Sequence, residues 1–172
     1  SAENGDLIYY TLDGAEPTSI SNLYTSPLIF KSLAGKKNLI STIPTSPHFK
    51  NPVSNVFKAN IIRYASFNNQ KQTSITYNKT FFIDYKMFEM YQSFDLVSII
   101  TDPENLFNPD TGIYVMGNSF SDKSSSDKLW TGNYFKKGLS SERHANIQYF
   151  NVDGSLEFRQ DIGIRIHGGK GR

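Results

Sequence analysis

A mainly β protein with antiparallel strands and little helix is predicted, and three observations predict it. Aromatic residues make up 14% of the chain, 10 Tyr and 13 Phe among them. They recur in short runs beside β-branched Ile, Val and Thr, side chains that suit a pleated, half-buried surface. Gly, Pro, Asn or Asp separates nearly all of these runs, as turns require.

In chain order the strand-like runs are residues 7–12, 28–30, 38–43, 60–67, 74–83, 96–101, 112–116, 145–150, 156–160 and 162–167. Asp153-Gly154 is the clearest hairpin signal, because the pair tolerates the positive φ of a tight turn and lies between residues 147–150 and 156–159. Beyond it, Ile162, Ile164 and Ile166 alternate with Gly163, Arg165 and His167. Period-two geometry sends the isoleucines to a core and Arg165 and His167 to the opposite face. Asp102 followed by Pro103 predicts a short helix over 102–107, with Asp102 as N-cap and Asn108-Pro109-Asp110 ending it. Residues 84–93, with Tyr85, Met87, Phe88, Met90 and Tyr91, fit either a helix or a segment bridging two β units, and the module boundary is placed there. Pro44, Pro47 and Pro52 make an extended loop of 44–52, and the apolar-poor stretch 121–128 reads as a solvated loop.

Composition excludes several function classes. Lys and Arg number 18 against 16 Asp and Glu, a formal charge of +2, too small and too dispersed for a protein that tracks nucleic-acid phosphates. With 0 Cys there is no disulfide framework, thiolate nucleophile, zinc ribbon or iron–sulfur ligand set. No apolar run approaches the ~20 residues that cross a bilayer, and the amino terminus lacks the order of a signal peptide.

Two sets of strings resemble known families. Ile8-Tyr9-Tyr10-Thr11-Leu12-Asp13-Gly14-Ala15-Glu16-Pro17-Thr18, continued by Leu23-Tyr24, Pro27-Leu28 and Ile62-Arg63-Tyr64-Ala65, resembles the chitobiase/β-hexosaminidase carboxy-terminal type of module. That resemblance implies an immunoglobulin-like β-sandwich, generally an accessory, over residues 1–84. Thr101-Asp102-Pro103-Glu104-Asn105-Leu106-Phe107, Gly112-Ile113-Tyr114-Val115-Met116-Gly117 and Gly163-Ile164-Arg165-Ile166-His167-Gly168-Gly169 resemble the opening of the spore-coat CotH-type atypical kinases. Residues 85–172 would then be the truncated amino-terminal β region of such a kinase. The resemblance implies a parent that uses ATP with Mg or Mn, acts at a bacterial spore coat or cell surface, and meets spore-coat or surface proteins. In the family pattern the metal-binding acids come further downstream, and a Ser stands where this chain has Gly171. The chain is therefore expected to be a non-catalytic, accessory or scaffold fragment holding no cofactor of its own.

Candidate chemistry is sparse. Gly168-Gly169-Lys170-Gly171-Arg172 offers backbone N–H groups and cations after a strand carrying Arg165 and His167, the ingredients of a phosphate cradle. Arg165, His167, Gly168, Gly169 and Arg172 are therefore the candidate nucleotide-binding residues of an intact parent. The spacing is not that of a P-loop, and a strand followed by a turn explains the same residues. Asp102, Glu104 and Asp110 could hold Mg²⁺ as a group, but capping and turn formation already account for Asp102 and Asp110. Asp13 and Glu16 fall in a turn. His48, His144 and His167 lack zinc-site spacing, Gly117-Asn118-Ser119 is no nucleophile elbow, and neither a catalytic residue nor a metal site is assigned. The alternative function is a carbohydrate-binding module of a cell-surface protein, with Tyr10 and Trp130 as sugar platforms and cell-wall glycan as partner. Aromatics at alternating strand positions also fill cores, so the competing structural role is plain.

Overall fold

The computed structural model describes residues 5–120 and 131–168. The chain is mainly β, with antiparallel sheets, as the sequence predicts. It packs as two compact units interleaved along the sequence. The first comprises Ser1–Ala34, Phe57–Ile100 and Asn146–Gln160, and the second Gly35–Val56, Thr101–Ala145 and Asp161–Arg172.

A five-stranded sheet dominates the first unit. Its strands are β1 (Leu7–Thr11), β2 (Asn22–Leu23), β3 (Asn60–Asn68), β4 (Lys71–Gln72) and β5 (Tyr77–Phe81). β3 is the central strand, pairing with β1, β4 and β5. Its alternation sorts side chains cleanly: Arg63, Ala65 and Phe67 are buried, while Ile62, Tyr64 and Ser66 are half-buried on the other face. The register Tyr9↔Ala65 and Thr11↔Arg63 adds β1 residues to the buried face, and Tyr9 meets Phe67 edge to face at 5.5 Å. Asn69 and Gln70, at φ 47° and 67°, make the two-residue turn from β3 to β4, a primed hairpin geometry.

A second sheet contains β6 (Leu96–Ile100), β7 (Arg143–Phe150) and β8 (Leu156–Ile164) in that order. Within the first unit it faces the larger sheet, a sandwich-like arrangement. The Thr80 hydroxyl lies 2.7 Å from that of Ser98, and the Thr80 N–H donates to Gln148 Oε1 at 3.1 Å. Gln148, 1% exposed, donates in turn to Asn146 Oδ1, so this buried amide is satisfied. Phe82 and Phe150 complete the contact edge to face at 5.1 Å.

Both candidate helices form. α1 (Tyr85–Tyr91) starts where the Asp84 carboxylate accepts the Lys86 N–H, which decides between helix and bridge for that segment. α2 (Pro103–Phe107) is capped by Asp102, whose side chain accepts the Glu104 N–H at 2.9 Å, with Pro103 in the first turn.

The runs 28–30, 38–43 and 112–116 do not form strands. At 112–116 the backbone folds back on α2: the N–H groups of Ile113 and Tyr114 donate to the carbonyls of Asn105 and Leu106, both at 2.9 Å. At 38–43 a single tight turn, Ile40–Thr42, replaces the strand, and Asn38 serves the backbone instead by donating to Ser54 O and accepting from Val56 N. Residues 156–164 are one strand where two were expected, since nothing in Gln160-Asp161-Ile162-Gly163 demands a turn. The Asp153-Gly154 hairpin is present with a longer loop, Gly154 at φ 81° and Asn151 N–H bonded to Ser155 O. The stretch 121–128 lies outside the described residues.

Candidate functional site

The first unit is organised around a buried arginine. Arg63, 1% exposed, sits on β3 opposite Thr11, so its guanidinium meets the turn that follows β1. Nε donates to Asn78 Oδ1 at 2.9 Å, Nη1 donates to Gly14 O at 2.7 Å, and Nη2 pairs with the Glu16 carboxylate. Thr76 donates to the second Glu16 oxygen at 2.9 Å, while Asp13 accepts the Ala15 N–H. The acidic turn 13–16 thus closes on a buried cation, and its carboxylates are structural. The sequence placed Arg63 within a strand but gave no hint of its burial, because the contact joins residues 47 positions apart.

The opposite face of the same sheet is aromatic and partly exposed. Register places Tyr10 beside Tyr64 and Tyr64 beside Tyr77, a row across β1, β3 and β5. Adjacent strands lie about 4.8 Å apart, so the row spans roughly 10 Å. Tyr64 and Tyr77 stack with centroids 5.3 Å apart and planes inclined by 18°. Tyr10, Tyr24, Tyr64, Ile8 and Ile62 line a shallow cavity of about 180 Å³. Among the described residues no partner takes the hydroxyls of Tyr10, Tyr24, Tyr64 or Tyr77. Further along, Phe30 stacks on Phe81 at 4.6 Å, and Lys79 Nζ lies 5.4 Å from the Phe81 centroid. An apolar ring surface edged by free hydroxyls can hold the C–H faces of a sugar while hydrogen-bonding its hydroxyl groups.

Of the sequence-derived sugar platforms, Tyr10 lies in this face, and Trp130 lies outside the described residues. Tyr64 and Tyr77, which complete the row, escaped the sequence reading. Their signal was the period-two spacing of Tyr64 with Ile62, and only the register across strands makes it a row. Tyr9, one residue from Tyr10, is half-buried and packs edge to face on the buried Phe67.

Among the candidate nucleotide-binding residues, Arg165 is half exposed and lies 3.4 Å from a Glu142 oxygen. His167 is exposed and Gly168 has φ 126°, while Gly169 and Arg172 lie outside the described residues. The isoleucines 162, 164 and 166 alternate with the more exposed 163, 165 and 167, but they are half-buried and do not enter a core. Asp102, Glu104 and Asp110 have local partners: Asp102 caps α2, Glu104 accepts from Asn108 Nδ2 at 2.6 Å, and Asp110 accepts from Asn118 Nδ2 at 2.7 Å. Among the described residues no group of three His, Asp or Glu side chains could hold a metal ion. No helix among these residues is long and apolar enough to cross a membrane.

Titrations are displaced at a few surface groups. Bonds from Thr73 and Asn68 hold the Asp6 carboxyl below its ordinary range, and bonds from Ser155 do the same for Asp153. The Tyr149 phenol, bonded to Asp95, is pushed up.

Comparison with known families gives one match: the model of the chitobiase/beta-hexosaminidase C-terminal domain matches residues 1–36. That segment carries β1, β2 and the turn that binds Arg63, and ends before β3. No curated protein and no solved structure matches the chain, and the comparisons lend no support to a CotH-type kinase.

Proposed function

We propose that this chain is a non-catalytic accessory module that holds carbohydrate on the tyrosine face of β1, β3 and β5. The observation that carries the reading is the row Tyr10, Tyr64 and Tyr77, whose hydroxyls have no partner among the described residues, beside the cavity edged by Tyr24. The likeness of residues 1–36 to a chitobiase-associated domain agrees with it. Such a module, at residues 1–84, would work at a cell surface and tether it to cell-wall glycan. Pull-down on chitin and peptidoglycan, followed by a glycan array, tests this. Saturable binding is expected, weakened about tenfold or ~1.4 kcal/mol by Tyr10→Ala or Tyr64→Ala with near-ultraviolet circular dichroism preserved. Binding that both substitutions leave unchanged, or no binding at all, would refute it.

A second reading makes residues 85–172 scaffold for a CotH-like kinase. It rests on the resemblance of residues 101–107, 112–117 and 163–169 to the opening of those kinases. ATP, Mg or Mn and the spore-coat location belong to that parent. Under either reading the isolated chain turns over no ATP with Mg²⁺ or Mn²⁺. Turnover above a heat-killed control would end both.

A further inference from the structure

A separate concavity of about 420 Å³ opens in the second unit, lined by Thr111, Lys136, Lys137, Ser140, Ser141 and Arg143 among others. It falls in the range of small-ligand sites, about 300–1,000 Å³. Its charge is one-sided. Arg143 donates through Nε and Nη2 to Thr111 O and through Nη1 to the carbonyls of Ser140 and Glu142, so it is fixed in place without a carboxylate to neutralise it. Lys136 spends one N–H on Asp110 O at 3.0 Å and keeps two. Lys137 has no hydrogen-bonding or ionic partner among the described residues. The single carboxylate of the lining, Asp110, is engaged by Asn118.

A buried hydroxyl also faces this lining. Ser141 is only 7% exposed and lines this cavity, yet its hydroxyl has no partner among the described residues. A buried hydroxyl without a hydrogen bond is destabilising, and an acceptor oxygen in the cavity would relieve it. Three cations against one carboxylate match a dianion, and a phosphomonoester carries close to two negative charges at pH 7, where its second pKa is about 6.

We infer that this cavity binds a small phosphomonoester of about sugar-phosphate size. The ammonium groups of Lys136 and Lys137 and the Ser141 hydroxyl take the phosphate oxygens, under the fixed charge of Arg143. The site is independent of the tyrosine face, and Tyr10→Ala leaves it unchanged.

Isothermal titration of the whole chain at low salt, with inorganic phosphate, glucose 6-phosphate, a glycerophosphodiester and glucose, tests the inference. Phosphate and the monoester are expected to bind saturably, the diester at least tenfold more weakly, and any glucose binding to be the same in wild type and in the double lysine variant. Lys136→Gln combined with Lys137→Gln, both exposed, should lower monoester affinity at least tenfold with an unchanged melting temperature. Ser141→Ala should lower it by a smaller factor. No saturable phosphate binding, a diester that binds as well as the monoester, or equal affinity in the double lysine variant would each overturn the assignment. The double variant settles the matter even where Ser141→Ala fails to fold.

Discussion

The two units hold their backbones in different ways. In the first, strands satisfy one another: β3 alone is flanked by β1, β4 and β5, and its side chains are divided between a buried and an open face. In the second, side chains do much of that work. Arg143 serves three carbonyls, Asn133 donates to Pro109 O, Thr101 donates to His144 O, and Asn108 accepts from the N–H groups of Asp110 and Thr111. A ladder leaves its open face available, and that face carries the tyrosines. Where side chains are occupied with the backbone, the groups left for a ligand are those with donors to spare, here Lys136 and Lys137.

The comparison breaks most sharply where the first unit relies on its buried arginine. Arg63→Ala opens a cavity, takes the arginine donors from Asn78 Oδ1 and Gly14 O, and removes the buried counter-charge of Glu16. Removing one partner of a buried ion pair costs about 3–5 kcal/mol; Glu16 is 45% exposed on its side chain, so the lower end applies. Chemical denaturation should show that loss. A cost under about 1 kcal/mol would mean that the ladders carry the first unit without the arginine.

The second unit should break through its backbone corner. A Cβ on Gly112 would stand 2.6 Å from the Asn108 N and O atoms and 2.7 Å from Leu106 O, all backbone, so no side chain can swing aside. Gly112→Ala should destabilise by roughly 2–3 kcal/mol, in the upper range of single substitutions. Hydrogen exchange is the informative readout. Faster exchange at Ile113 and Tyr114 is expected, while β1 and β3 keep their protection. Uniform loss across both units would mean they unfold as one.

The same contrast explains how far the sequence could be read. The strand over residues 60–67 and the Asp102-Pro103 cap rest on local signals, and both were legible. Residues 112–116 look as β-prone as those runs, yet their N–H groups are taken by α2, a pairing set by Gly112 fitting against Asn108 rather than by periodicity. The Asn69-Gln70 hairpin was hidden because Gln is an unusual residue at positive φ. Tyr10 was identified and Tyr64 and Tyr77 were not, since a row across strands exists only once register is known. The lysine cavity left no trace in composition, because its cations gather through the turns at 110–112 and 138–141.

The smallest effect sharpens the comparison by pH. Asp6, just before β1, accepts from Asn68 Nδ2 at 2.9 Å and from Thr73 Oγ1 at 2.6 Å, tying the start of β1 to the β3–β4 hairpin. These bonds favour the carboxylate, so its folded pKa lies below the unfolded one, led by the Thr73 bond. A group depressed in this way contributes stability above its unfolded pKa, near 3.9, and loses it as pH falls through the folded value. Asp6 is partly open to solvent, so the contribution is small and screened by salt. Wild type should melt slightly above Asp6→Asn at pH 7, and the gap should close below about pH 4. Amide signals of residues 6, 68 and 73 should shift together over that window. A gap that persists at pH 2.5 would show that the Asp6 bonds do not depend on its charge.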